Sequence, residues 1–366
     1  MASYTLNVHL DDDVVAKLEI SYVTLMFFDT IVAELGREFG SCYNFKYEDD
    51  DFDRIAVRSD EDLPAFVSYL EHEGEADIWL VRNPSDDISD IPEILPWDLC
   101  RLDMLSHGQF GTVYRSIHMP TDHVLAVKCI AIGKDDERKD DVFRELTLMK
   151  KCSSCEYVVS LVGASVDSQS FYICLEYMNG GSIGDYGKLP LRVLLFTTRS
   201  IFEGLKFLWT NNIMHRDLKP NNVLVNTSGY VKITDLGISK IMTDSVTRTY
   251  VGTTMYMAPE RIQGGVYRLE SDVWSFGLLL WELALGYFPL QQSSDTLTVN
   301  SVPSFHVKMQ RIENNPWSFS ELIRGCLRRN VLQRWKLNDL AASLYIMEGW
   351  PIDREVISRF IIDFKS

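Results

Sequence analysis

The chain has 366 residues, 46% of them hydrophobic and 24% charged, with a formal net charge of −16. Residues 1–96 carry 23 acidic and 6 basic side chains, a balance of −17, and the other 270 carry 29 and 30, a balance of +1. That length predicts two domains with a globular rather than disordered composition, and the acidic quarter repels nucleic acid and anionic membrane and favours a basic partner.

At the N-terminus, no basic stretch precedes an apolar one, and Met1-Ala2 offers no glycine for myristoylation. Tyr4–Leu10 and Ala16–Ile20 alternate apolar and polar residues and read as half-buried strands. Thr24 is expected to cap a helix carrying Leu25, Phe28, Val32 and Leu35 at helical spacing, ending near Gly36 or Gly40. Cys42–Tyr47 and Arg54–Val57 read as short strands. Ser59-Asp60-Glu61-Asp62 reads as a capping box before Leu63, Phe66, Val67 and Leu70, and Ala76–Arg82 as a last strand. The order ββαββαβ over residues 1–82 predicts a small ubiquitin-like β-grasp.

The run Tyr47-Glu-Asp-Asp-Asp-Phe-Asp-Arg-Ile-Ala-Val-Arg-Ser-Asp-Glu-Asp-Leu63 crowds carboxylates whose repulsion solvent or a cationic partner must relieve. Asp49, Asp51 and Asp53 have calcium-loop spacing, but Arg54 stands where the loop glycine belongs and Asp60 where the bidentate glutamate belongs. A solvated loop is the plain alternative. The run resembles the acidic motif of Phox/Bem domains. That resemblance implies that Asp49, Asp51, Asp53, Asp60 and Glu61 clasp lysines of another such domain. The first strand has His9 and no lysine, as in the acidic-face-only type, and Phe52 departs from the family's usual turn glycine. Residues 83–96, with three prolines, read as a semi-extended connector.

Leu105-Ser106-His107-Gly108-Gln109-Phe110-Gly111-Thr112-Val113 matches G-x-G-x-x-G-x-V with Ser106 at the first glycine. Such glycines let backbone amides approach phosphates. Leu125-Ala126-Val127-Lys128 matches the strand whose lysine contacts α- and β-phosphates. Seventeen residues on, Glu145 lies in a helical pattern over Val142–Lys151 and is the expected partner of Lys128, with Glu137 and Asp141 as rivals. Cys152-Ser-Ser-Cys155 has zinc-like spacing, but no second pair completes a site, so these read as packing thiols. The strand Phe171–Tyr177 leads into Glu176-Tyr-Met178, whose backbone would hold adenine, with Leu175 bordering the pocket.

The helix Ile201–Trp209 runs into His215-Arg-Asp217-Leu-Lys219-Pro-Asn-Asn222. Here an aspartate that can take a hydroxyl proton, a lysine that can reach a moving phosphate and an asparagine that can ligate magnesium share one short span. A hairpin pairs Val223–Val225 with Val231–Ile233. Asp235-Leu236-Gly237 follows Asp217 by 18 residues, with leucine where phenylalanine is usual. The aspartate's metal chemistry does not need that ring. Glu260 is expected to pair with Arg334, and Asp272 to support the catalytic-loop backbone. The most apolar stretch, Trp274–Leu285, is short and contains Glu282, so it reads as a buried helix rather than a membrane span.

In this order and spacing, the motifs over 97–362 resemble a eukaryotic protein kinase, implying a bilobal α+β fold with small lobe 97–177 and large lobe 179–362. The activation segment Asp244–Arg261, with hydroxyls four apart at Ser245 and Thr249, looks like mitogen-activated protein kinase kinases. The resemblance implies a dual-specificity enzyme using ATP and Mg2+ and acting on a downstream mitogen-activated protein kinase. Phosphorylation at Ser245 and Thr249 would switch it on. An upstream kinase kinase kinase with a basic Phox/Bem domain is the implied partner. Scattered cysteines, seven in all, fit a reducing compartment, the cytoplasm and also the nucleus. A pseudokinase scaffold and a kinase with unrelated substrates are the rivals.

Overall fold

The structure, a computed structural model, describes residues 3–10, 13–39, 44–49, 54–81, 90–108, 111–131, 139–167, 169–236, 253–264, 268–289 and 316–366. It divides into two compact units, Met1–Asp90 and Ile91–Ser366.

The first unit runs β1 (Ser3–Leu10), β2 (Asp13–Ser21), α1 (Phe28–Phe39), β3 (Asn44–Glu48), β4 (Arg54–Val57), α2 (Leu63–Glu73) and β5 (Glu75–Val81). Its strands form one sheet of order β2-β1-β5-β3-β4, with β1 and β5 parallel at the centre. Strand alternation sends Leu6, Val8, Ile20, Phe45, Tyr47 and Ile78 to one face. There they meet Ile31 and Leu35 of α1 and Phe66 and Leu70 of α2, one helical face each.

The first helix starts later than expected, and the second starts at Leu63 as expected but without the expected cap. Thr24 opens a separate 3-10 turn, Thr24–Met26, with its hydroxyl 2.9 Å from Ser21 Oγ, and α1 begins only at Phe28. The first amide of α1 is satisfied at long range: Phe28 N donates to Asp60 Oδ1 at 2.7 Å. The capping box at Ser59–Asp62 does not form. Asp62 Oδ2 turns back to accept from Arg58 N at 2.9 Å and Ser59 Oγ accepts from Glu61 N at 3.2 Å, so both side chains close the preceding turn.

In the second unit, β6 (Leu99–Gly108), β7 (Gly111–His118), β8 (His123–Ala131), β9 (Leu161–Val166) and β10 (Ser170–Glu176) form an antiparallel sheet of order β6-β7-β8-β10-β9, accompanied by α3 (Lys139–Cys152). The connector expected through Pro96 ends earlier. Glu93 bridges Ala164, and Ile94 is buried with Leu125, Val127 and Cys174, because an apolar residue beside a sheet edge gains by packing there.

The large lobe holds α4 (Leu191–Thr210), β11 (Gly181–Ser182), β12 (Val223–Val225), β13 (Val231–Ile233), α5 (Leu269–Leu285), α6 (Trp317–Cys326) and α7 (Arg354–Lys365). The apolar stretch Trp274–Leu285 lies in α5, which is apolar around most of its girth and buried at the centre of the lobe. No described helix is long and apolar enough to cross a membrane. Cys152 and Cys155 are buried in the same core. Burial, followed by the neighbouring Cys155, pushes the Cys152 thiol up to about 12, so it packs as a neutral group.

The bond from Phe28 to Asp60 makes a local prediction. Asp60→Ala removes the acceptor at the start of α1 and is expected to cost ~1 kcal/mol. Amide hydrogen exchange across residues 28–39 should accelerate about fivefold while exchange in the second unit is unchanged.

Candidate active site

The β6–β7 hairpin carries Leu105, Ser106, His107 and Gly108 on one strand and Gly111, Thr112 and Val113 on the other, with Ser106 opposite Val113 and Gly108 opposite Gly111. Gln109 and Phe110, at its tip, lie outside the described residues. Gly111 has φ +129°, and a Cβ there would meet the Cys129 carbonyl oxygen at 2.4 Å, so this glycine is required. Ser106 lies in the paired strand and is not among the residues of positive φ, so a side chain in place of the first glycine strains nothing. His107 Nδ1 and Thr112 Oγ1, 2.8 Å apart, tie the two strands together.

Along β8, Val127 joins the small-lobe core while Ala126 and Lys128 fall on the opposite face by strand alternation. Lys128 Nζ meets Glu145 Oε1 of α3 at 2.8 Å, and both residues are buried. Glu137 lies outside the described residues, as does the side chain of Asp141. Burial works against the Lys128 ammonium, but the charges of Glu145 and Asp235 outweigh it and hold its pKa above the ordinary value. Lys128 is therefore a fixed cation, close enough to Asp235 to feel its charge. Leu175 and Met178 are buried behind the end of β10. Glu176 Oε1 accepts from Ser160 N at 2.7 Å and Lys232 Nζ at 2.5 Å.

The loop His215–Asn222 is built around a buried carboxylate on α5. Asp272 Oδ2 accepts from His215 N at 2.8 Å and from the Trp209 indole at 3.2 Å, and Oδ1 accepts from Arg216 N at 2.9 Å. Arg216 is thereby held at φ +65°. The His215 ring is fully buried, and desolvation keeps its pKa low, so it is a neutral imidazole. Its two nitrogens have distinct partners: Nε2 donates to Thr234 O at 3.0 Å, and Nδ1 accepts from Asp217 N at 3.2 Å. One ring thus spans the residue before Asp235 and the backbone of Asp217.

Lys219 Nζ lies 2.9 Å from Asp217 Oδ2. Asn222 Nδ2 donates to Asp217 O at 2.8 Å, so its amide nitrogen is committed to the loop. Asp235 has φ +56° and is exposed. Leu236 is buried in the large-lobe core, so the smaller apolar side chain still fills a place there. Gly237, Ser245 and Thr249 lie outside the described residues.

The protein kinase domain model matches residues 101–346, which is 246 of the 366 residues. The chain belongs to the protein kinase family. Its kinase region is similar to the mitogen-activated protein kinase kinase MST7 of Pyricularia oryzae, 36% identical over 256 residues, or 65% of this chain and 61% of that protein. It is also similar to the dual specificity mitogen-activated protein kinase kinase dSOR1 of Drosophila melanogaster, 38% identical over 217 residues, or 58% and 54%. A third relative is the dual specificity mitogen-activated protein kinase kinase mek-2 of Caenorhabditis elegans, 37% identical over 195 residues, or 52% and 50%. The chain spans between 50% and 61% of the length of these relatives.

Two structural pairs expected of a protein kinase large lobe are in place. Asp272 is described above. Arg334 donates to Glu260 Oε1 at 2.7 Å and Oε2 at 2.9 Å, and it also reaches the Glu270 and Arg328 carbonyls. Two contributors carried no motif signal of their own. Trp209 ends an apolar helix and looks like core. Lys232 had one hint, a charge between Val231 and Ile233 in a core strand.

In the first unit, Asp49 follows β3 and Glu61 is exposed, while Asp51 and Asp53 lie outside the described residues. Asp60 is also exposed, and one of its oxygens accepts from the first amide of α1.

Burial opposes ionisation of Glu260, but the Arg334 hydrogen bonds and charge hold its carboxyl below the ordinary 4.5. A depressed folded pKa adds stability above the unfolded value and loses it as pH falls through the folded one. Urea unfolding midpoints of the wild type should therefore fall more steeply below pH about 4.5 than those of Glu260→Gln. Parallel curves would show that this pair does not titrate with folding.

Proposed function

We propose that the chain is a mitogen-activated protein kinase kinase that transfers the ATP γ-phosphate to the Thr and Tyr of a mitogen-activated protein kinase activation loop. The observation that carries this is the convergence of the Lys128–Glu145 pair and Asp235 with the loop bearing Asp217, Lys219 and Asn222, in a chain similar to named kinases of that class. Ser106 and Leu236, the departures that favour a pseudokinase scaffold, are both accommodated without loss of any charged group of the set.

The donor set fits MgATP. Asp235 and the Asn222 amide oxygen are hard oxygen ligands suited to Mg2+, which when bound neutralises charge on the β- and γ-phosphates. Lys128 would hold the α- and β-phosphates, and backbone amides of 105–108 and 111–113 would be available to them. Backbone groups of Glu176 and Met178 take the adenine, with Ala126 against the base. Asp217 accepts the substrate hydroxyl proton as the hydroxyl oxygen bonds to the γ-phosphorus and the bond from that phosphorus to the ADP oxygen breaks. Lys219, held against the same carboxylate, stabilises the γ-phosphate there.

Ser245 and Thr249 are the switch in this proposal. Phosphates there bring roughly −2 charge each and pair with Arg216, ordering the segment. The β2-β1-β5-β3-β4 sheet with two helices supports a ubiquitin-like β-grasp of Phox/Bem type in the first unit. Its acidic face would recruit an upstream kinase kinase kinase through a basic Phox/Bem domain. That pairing of domains is similar to mitogen-activated protein kinase kinase 5. The proposed setting is the cytoplasm and the nucleus.

Catalysis is tested with a Ser245→Asp, Thr249→Asp form offered a panel of inactive mitogen-activated protein kinases. At least one should gain phosphate on both Thr and Tyr, and Asp217→Asn should lower the rate by about 10²–10⁴-fold. Transfer to none of them, or undiminished transfer by Asp217→Asn, would refute the assignment. Recruitment is tested with Asp51→Lys, Asp53→Lys against purified basic Phox/Bem domains. Binding should be lost, and an unchanged affinity and salt dependence would remove the proposed interface.

A further inference from the structure

Lys232 sits in the middle of β13, flanked by the core residues Val231 and Ile233, with its side chain 9% exposed. Its ammonium lies 2.5 Å from Glu176 Oε1, the oxygen that also accepts from Ser160 N at 2.7 Å. The Glu176 amide in turn donates to Ser160 O at 3.1 Å. The segment 157–160 lies alongside β13: Ile233 N donates to Tyr157 O at 2.9 Å, and Val159 N donates to Ile233 O at 2.8 Å. Three pieces of chain thus meet at one carboxylate: the end of β10, the segment leading into β9, and β13. Asp235 follows Lys232 by three residues.

As a stabiliser this is a poor choice. Desolvating a lysine and a glutamate offsets most of their attraction, and an apolar pair of the same size would hold the core at least as well. What an ion pair supplies, and apolar packing does not, is a fixed distance and direction between two particular points. Here one point is the backbone proposed to hold adenine. The other is the strand that delivers the aspartate proposed to hold the metal.

We propose that Lys232 and Glu176 are positioning residues that set the spacing between the adenine-binding backbone at Glu176–Met178 and the metal-binding Asp235, so that the two ends of MgATP are bound in concert. This deepens the nucleotide-site assignment and rests on it. The pair touches neither end of the nucleotide through its charged groups. It acts by coupling two half-sites, and coupling appears only with a ligand that occupies both.

The test titrates the full chain and three variants, Lys232→Met, Lys232→Arg and Glu176→Gln, with adenosine and with MgATP. Adenosine reports the adenine half alone, and MgATP reports both halves. Lys232→Met is expected to weaken MgATP binding about tenfold, the effect of losing one charge-assisted hydrogen bond, and adenosine binding less than about twofold. Lys232→Arg, which keeps the cation, should stay near the wild type for both. Glu176→Gln keeps an acceptor for Ser160 N and loses the charge, so it should match Lys232→Met and carries the same test if that variant does not fold. The double variant Lys232→Met, Glu176→Gln should be no worse than either single one, because the two groups act as a unit. Equal weakening of both ligands, a lower melting temperature with no selective loss, or no change would overturn the positioning role and leave the nucleotide site standing. A wild type that binds no MgATP would overturn both.

Discussion

The site depends on one buried carboxylate. Asp272 is fully inaccessible to solvent, and it accepts two consecutive backbone amides, His215 and Arg216, as well as the Trp209 indole. A left-handed conformation costs a side chain such as that of Arg216 on the order of 1–3 kcal/mol, and it persists only where surroundings over-determine it. Charge-assisted bonds to the His215 and Arg216 amides supply that determination. Asp272 is rigid in turn because α5 is apolar nearly all round and packed on every side. The core of the large lobe and the shape of the reactive loop are therefore one feature.

From that fixed loop the remaining groups are placed by short links. His215, neutral because it is buried, uses one nitrogen for the residue before Asp235 and the other for the backbone of Asp217. A charged imidazole would donate at both positions and could not accept from the Asp217 amide. The Asp235 charge meanwhile favours the ammonium form of Lys128, and Lys128 is paired with Glu145 of α3. Two cations, Lys128 and Lys219, are thus each paired with a carboxylate, and Asp235 acts on the first of them, a set suited to a polyanion with its metal.

Much of this was legible in the sequence because phosphoryl transfer demands particular side chains at particular separations. Lys128, Glu145, Asp217, Lys219, Asn222 and Asp235 are each named by type, order and spacing, and so were the supporting Asp272 and the Glu260–Arg334 pair. The strands of the first unit followed from alternation, and its helices from apolar residues at helical spacing. What escaped was long-range and chemically ordinary. Asp60 looked like one more acid in an acidic run, yet one of its oxygens caps a helix 32 residues earlier in the chain. Asp62 and Ser59 had the composition of a capping box, but the Arg58 and Glu61 amides took the two side chains instead. Ile94 looked like connector until the sheet edge offered it a place to pack. Lys232 carried no motif, because its partner lies 56 residues away on another strand. Pairing between distant residues of common type leaves no periodicity to detect.

The central claim is that one magnesium-bound nucleotide bridges both lobes. The most direct measurement is a crystal structure of the chain grown with Mg2+ and a non-hydrolysable ATP analogue. Asn222 and Asp235 should share the metal, Lys128 should lie against the α- and β-phosphates, and Asp217 should face the γ-phosphate across Lys219. A nucleotide seated elsewhere, or phosphates lying away from Lys128 and Asp235, would contradict it.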